Sequence, residues 1–285
     1  MENIKQSTDF QRVYDELQRC ISEDSLAVPM LPTAAQRVIE LVQNPDSDAA
    51  ELAQQIQSDQ GLAAHVMRVA NSAAYSPAST LVSLQQAITR LGMNLIGEIA
   101  LTVSIGTKVF QVPGFEKFVD GVWRHALLTA LWSKEISRVC RKNVEATFLC
   151  GLLHSIGRPV TLQLLKDFEK SLGLSLTADE KITLVEDFSQ AASIAAVTQW
   201  SMPALIIKTV SHFNDFENTE KYSEQAATIT AAAVFASFSM DSNLTPEETL
   251  REISALEILN IYQDDVTELL KMNSTIYNAM ESMLQ

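Results

Sequence analysis

Apolar residues return every three or four positions along nearly the whole chain, a spacing that only an amphipathic helix can turn to one face. Phe10, Val13, Tyr14, Leu17 and Ile21 follow the start signal Ser7-Thr8-Asp9. Ala35, Val38, Ile39 and Val42 repeat the pattern after Pro32, and Asn44-Pro45 stops it. Asp48-x-x-Glu51 has the form of a capping box before Leu52, Ala53 and Ile56. Ser83-x-x-Gln86 has the same form before Ala87, Ile88 and Leu91, with Gly92 closing that helix. No run alternates apolar and polar residues, and no Asn-Gly or Asp-Gly pair joins two such runs. The expected fold class is all-α, a multi-helix bundle.

Val112-Pro113-Gly114 ends a long apolar helix with two breakers, so a boundary is expected there. It separates an N-terminal helical subdomain, 1–112, from a second helical domain, 113–285. Upstream helices are short. Downstream ones are expected over 115–140, 144–154, 159–172, 177–199, 203–213, 224–238, 246–256 and 264–284, with 214–223 a polar surface loop. Met272, Met280 and Met283 read as the seam of the last helix. The apolar stretch 95–112 is broken by Glu98 and Lys108, which marks a buried helix and not a membrane span.

With 285 residues, 47% of them hydrophobic and 20% charged, the composition is that of a globular chain. Its formal net charge of −14 opposes sequence-independent nucleic-acid binding and adsorption to an anionic membrane. Arg138, Arg141 and Lys142 form the one compact basic cluster, at an expected helix end where cations complement the dipole. Cys20, Cys140 and Cys150 share no paired spacing, so neither a disulfide framework nor a zinc site is indicated. The opening Met-Glu-Asn-Ile-Lys-Gln has no basic stretch leading into an apolar run. A cytoplasmic location is expected.

Three of the four histidines, His125, His154 and His212, fall downstream of the boundary. His125 lies inside an apolar helix and His154 closes the next one, so adjacent helices could bring the two imidazoles together as a metal site. The competing reading is a hydrogen-bonded core histidine. Ser155 beside His154 makes a poor nucleophile–base pair, since sequence neighbours seldom point at each other and no Gly-x-Ser-x-Gly elbow surrounds it. Asn71-Ser72 stops a helix and opens a loop through Tyr75-Ser76-Pro77. If that loop meets a partner, Tyr75 is its amphipathic anchor.

In their order and spacing several segments resemble the HDOD family, the HD-related output domains of bacterial signalling proteins, over about 26–238. They are Val28-Pro29-Met30-Leu31-Pro32 with Ile39-Glu40-Leu41, and the run 52–63 (Leu-Ala-Gln-Gln-Ile-Gln-Ser-Asp-Gln-Gly-Leu-Ala). Val69-Ala70-Asn71-Ser72-Ala73, Ala87-Ile88-Thr89-Arg90-Leu91-Gly92 and Gly151-Leu152-Leu153-His154 complete the set. The resemblance implies an HD-like helical domain whose superfamily presents an adjacent His-Asp pair to a divalent metal, in the form Gly-Leu-Leu-His-Asp-Ile-Gly. Here the aspartate position holds Ser155. Carried over position by position, the first metal His is His125, the pair is His154 with Ser155, and the final Asp position holds Ser237. A further His position falls on Ser189, eleven residues before Trp200, and His212 stands where a His-His pair is usual.

A carboxylate holds and neutralises a hard cation, which a hydroxyl does poorly. The expected site is therefore a degenerate HD pocket of His125, His154, Ser155, Ser189, Trp200, His212 and Ser237, with only His125 and His154 left as weak metal candidates. No catalytic residue and no cofactor are expected. The leading expectation is a non-catalytic signal-transduction protein acting on signalling-protein partners, through surfaces such as that of Asn71, Ser72 and Tyr75. Since the resemblance is to output modules, the signal would arrive by association or through a small ligand. The alternatives are a metal-dependent phosphohydrolase, with Glu135 or Glu145 completing a metal site, and a sensor holding a nucleotide in the emptied pocket.

Overall fold

The computed structural model describes residues 7–75, 80–106, 110, 112–219 and 221–284, with the side chain of Glu145 outside the description. Ser76, Pro77 and Lys108, named above, also lie outside it. Among the described residues there is no strand; every regular element is helical.

The first half contains α1 (Thr8–Ser22), α2 (Thr33–Gln43), α3 (Ala49–Gln57), α4 (Gln60–Ala70), α5 (Leu84–Leu91) and α6 (Met93–Gly106). Their starts follow the local chemistry of the sequence. Ser7 Oγ accepts the Phe10 N–H, and Asp48 and Glu51 close a reciprocal capping box. Ser83 Oγ caps α5, but Gln86 reaches past it to accept the Val82 N–H at 3.0 Å, so only half of the expected second box forms. Gly92 leaves α5 at φ +88°, a conformation that favours glycine. Helix α6 is buried on nearly every side because α2, α4 and α5 all pack on it.

The second half contains α7 (Glu116–Val139), α8 (Val144–Leu153), α9 (Gly157–Leu172), α10 (Ala178–Gln199), α11 (Ala204–His212) and α12 (Ser223–Met240). Then come α13 (Glu247–Arg251), α14 (Ala255–Leu259), α15 (Gln263–Leu270) and α16 (Asn273–Leu284). The single helices expected over 246–256 and 264–284 are each two short ones. The apolar spacing runs through both breaks, and each piece keeps its own buried residues, Leu250 before Leu256 and Leu269 before Ile276. Arg138, at the end of α7, pairs with Glu135, and Lys142 just beyond it pairs with Glu224 at 2.7 Å, which consumes much of the basic cluster.

The scaffold of the second half is α7 laid against α8 and α12, with α9 against α10. Trp132 is fully buried between α7 and α12, its ring 4.9 Å from Phe235 and its indole N–H donated to Ser239 Oγ at 2.8 Å. Ala146–Leu172, which is α8, a turn and α9, is among the described residues the one stretch long and apolar enough to cross a membrane. Of its apolar window, 83% is buried inside the fold.

Two elements cross the break at 112–114. Helix α1 packs on α10, with Tyr14 edge-on to Phe188 at 4.9 Å. Helix α16 packs on α6 and α7, and the Met283 carbonyl accepts from His65 Nε2 on α4 at 3.0 Å. A further tie is the ion pair of Lys134 on α7 with Glu98 on α6, at 2.5 Å and with side chains only 13% and 8% exposed.

Candidate functional site

The Gly151–Gly157 turn is held by two close approaches that its glycines permit. A Cβ on Gly151 would stand 2.6 Å from the Ala130 Cα, so α8 touches the backbone of α7 there. A Cβ on Gly157 would stand 1.8 Å from the Ser189 carbonyl, so the start of α9 touches the backbone of α10. The buried hydroxyl of Ser193 on α10 completes the clamp, accepting the Gly157 N–H at 2.8 Å and donating to the His154 carbonyl at 3.2 Å. These contacts press His154 and Ser155 toward α7.

The turn faces a cavity of about 850 Å³ between α7, the α8–α9 turn, α10 and α12. Of the expected pocket residues, His125, His154, Ser155, Ser189 and Ser237 line it. The two imidazoles are neighbours, with ring centroids 5.8 Å apart.

Trp200 and His212 are not among its lining residues. Trp200 closes α10, and its indole N–H donates to the Pro29 carbonyl at 2.9 Å. Alongside, the Gln199 amide donates to the Leu26 carbonyl at 2.8 Å, so this end of α10 fastens the 26–29 segment. His212 ends α11, and the next residue, Phe213, reaches the cavity instead, its ring edge-on to His154 at 5.2 Å. Lys117, Arg158, Glu186 and Gln190 also line the wall. Arg158 and Gln190 sit one helical turn after Ser155 and one residue after Ser189, a signal that reading the helix faces could have exposed.

Hydrogen bonds fix the proton on each ring. His154 is 4% exposed, and its Nδ1 lies 2.6 Å from the Gly151 carbonyl. A carbonyl only accepts, so Nδ1 carries the proton and Nε2 keeps a lone pair. His125 Nε2 lies 3.1 Å from both the Ala233 carbonyl and Ser237 Oγ, so here Nε2 carries the proton. Burial pushes the His154 pKa down to about 3, with His125 and then Arg158 lowering it further. Burial likewise lowers that of His125, and Arg158 adds to it. Both rings are neutral at physiological pH.

A divalent cation, which the HD fold implies, does not fit this donor set. His125 has committed Nε2 to α12, the positions carried over from the metal-binding aspartates hold the hydroxyls of Ser155 and Ser237, and the Arg158 guanidinium acts on both rings. Among the described residues no three His, Cys, Asp or Glu side chains converge in a metal-binding group. Glu135 is paired with Arg138 away from the cavity, and the Glu145 side chain is outside the described residues. With hydroxyls at the aspartate positions, and the one lining carboxylate, Glu186, facing Arg158, the site is a poor holder of hard cations.

The other candidate patch is turned inward. Asn71 donates its amide to the Met67 and Leu81 carbonyls at 3.0 and 2.9 Å and accepts the Leu81 N–H at 2.6 Å, so it staples the loop. Ser72 Oγ is buried, and Tyr75 is packed against the core, where burial raises its pKa. None of the three offers an exposed anchor.

An all-helical core in which a His-bearing helix faces a Leu-Leu-His turn across a cavity places the protein among the HD-related helical domains. The chain belongs to the HDOD domain family, whose model matches residues 28–216. It is 20% identical to a structure from Shewanella amazonensis SB2B provisionally called a metal-dependent phosphohydrolase, covering 96% of this chain and all of that one at a TM-score of 0.72. An HDOD domain protein of unknown function from Geobacter sulfurreducens is 21% identical, covers 96% and 99% of the two chains, and gives a TM-score of 0.71. A Marinobacter aquaeolei VT8 protein provisionally called a signal transduction protein is 22% identical over 99% of this chain and 68% of that one, at 0.70. An uncharacterized protein of Treponema pallidum (strain Nichols) is 22% identical over 259 residues, or 88% of this chain and 50% of that protein. The chain thus spans about half the length of the curated relative it matches.

Proposed function

We propose that this protein is a non-catalytic signal-transduction component of the cytoplasm, which acts through protein contacts and retains the HD cavity without its metal chemistry. One observation carries the reading: the cavity pairs two neutral imidazoles with hydroxyls and a guanidinium, where hydrolysis would need carboxylate-held metal. The name of the Marinobacter structure and membership of the HDOD family agree with a signalling role. Burial lowers the pKa of both imidazoles, that of His154 to about 3, which disfavours them as a proton-accepting pair tuned near neutrality. Leu244, 83% exposed, stands beside the cavity-lining Thr245 and offers an apolar contact point near the cavity rim.

The test is the metal content of protein purified without chelator or nickel, measured by elemental mass spectrometry beside a phosphodiesterase and phosphomonoesterase assay. Metal well below one equivalent with no turnover supports the proposal. A stoichiometric iron, manganese or zinc with turnover replaces it by the phosphohydrolase reading.

A further inference from the structure

The cavity beside the His154-Ser155 turn has a charge pattern that its family resemblance does not explain. Its charged lining groups are Lys117, Arg158 and Glu186, a positive excess inside a chain of net charge −14. Arg158 and Glu186 meet at 3.5 Å with side chains 39% and 55% exposed. Such a solvated pair binds weakly and leaves most of the guanidinium's five N–H donors unused.

One turn before Arg158, Ser155 Oγ is buried at the cavity wall with no hydrogen-bond partner. A buried hydroxyl left unpaired costs free energy that an occupant could recover. His154 Nε2 adds an acceptor, because its Nδ1 proton is already given to Gly151. Phe118, Val122 and Phe213 supply apolar wall.

These groups discriminate among occupants. A cation meets Arg158 and finds one carboxylate, at the solvated rim. A wholly apolar molecule leaves Ser155 and His154 unpaired. An anion satisfies Arg158 and Ser155, and an N–H or hydroxyl on its apolar body would serve the His154 lone pair. We propose that the cavity binds a small organic oxyanion, a phosphate or carboxylate on an apolar or aromatic body, without any metal. Arg158 and Ser155 donate to the oxyanion, Lys117 adds charge at the mouth, and Phe213 packs against the body. At about 850 Å³ the cavity lies within the usual range for small-molecule sites, roughly 300–1,000 Å³. The inference rests on the reading of the site as metal-free.

The full chain is titrated by calorimetry and thermal shift with phenyl phosphate, benzoate, AMP and neutral adenosine, each with and without EDTA. At least one of the three anions is expected to bind and to raise the melting temperature, with EDTA making no difference. Binding of AMP or phenyl phosphate identifies a phosphate site, and binding of benzoate alone identifies a carboxylate site; either supports the inference. Arg158→Gln is expected to weaken the bound anion about tenfold or more, as loss of a charge-assisted bidentate donor should. Lys117→Gln, at an exposed position, should weaken it less and serves as a second, well-folded variant. Adenosine binding as tightly as AMP, unchanged affinity in Arg158→Gln, or no response to any probe overturns the inference. A response abolished by EDTA overturns both it and the metal-free reading. Silence from all probes in metal-free protein overturns the inference alone.

Discussion

Ser193→Ala removes one oxygen and changes almost nothing else. That oxygen accepts the Gly157 N–H at 2.8 Å and donates to the His154 carbonyl at 3.2 Å, in a residue only 1% exposed. Gly157 itself is buried, with the backbone of α10 pressed against its Cα. Orphaning a buried N–H costs about 1–3 kcal/mol, and losing the second hydrogen bond about 1 more, partly offset by the hydroxyl's own desolvation. The net expectation is about 2–3 kcal/mol. With an unfolding entropy of roughly 2.1 cal/mol/K per residue over 285 residues, the melting temperature should fall by about 3–5 °C. Scanning calorimetry measures this directly. Ser193→Cys, which keeps a weaker acceptor, should lie between the two. A fall below about 1 °C would refute the argument that one hydroxyl fastens the His154 turn to α10.

Three further outcomes are expected. Glu180 is held down to about 2, by the Ser7 side chain first and then by the Thr177 and Ser7 N–H groups. Because its folded pKa is depressed, its contribution of about 2 kcal/mol is complete above the unfolded value and lost as pH falls toward 2. Glu180→Gln should therefore melt lower at pH 7 and level with the parent near pH 2, by thermal denaturation across pH. Lys134→Met breaks the 2.5 Å ion pair with the buried Glu98, a loss of about 3 kcal/mol in urea unfolding that adding Glu98→Leu should largely reverse. Ser155→Asp with Ser237→Asp should gain manganese by elemental analysis, and adding Arg158→Gln should tighten it further, since the guanidinium opposes the cation. Equal uptake by the double and triple variants would remove Arg158 from that account.

Helical spacing and capping chemistry were legible in the chain because they are local: Asp48 with Glu51, and Ser7 with the Phe10 N–H, act within one turn. The breaks inside 246–256 and 264–284 were not, because the apolar spacing continues through them while tertiary packing bends the chain. At the site, the resemblance to the HDOD family pointed to His125, His154, Ser155, Ser189 and Ser237, and all five line the one cavity. Trp200 was misplaced, since only the fold reveals that its N–H faces Pro29. Arg158 and Ser193 were missed because their meaning lies in partners on other helices. Tyr75, an anchor only if its loop meets a partner, is partly buried against the core, a contact that its loop sequence does not reveal.

The pairing of α1 with α10 sets an order of assembly during synthesis. Ser7 donates its N–H to a carboxylate 173 residues further along. At about 5–20 residues per second, a ribosome needs roughly 10–35 s to deliver that partner. Throughout that interval Phe10, Val13 and Leu17, all at most 2% exposed in the finished fold, lack the α10 surface on which α1 packs. The nascent chain must therefore carry an open apolar stripe on α1 until α10 emerges, a natural point of engagement for a chaperone.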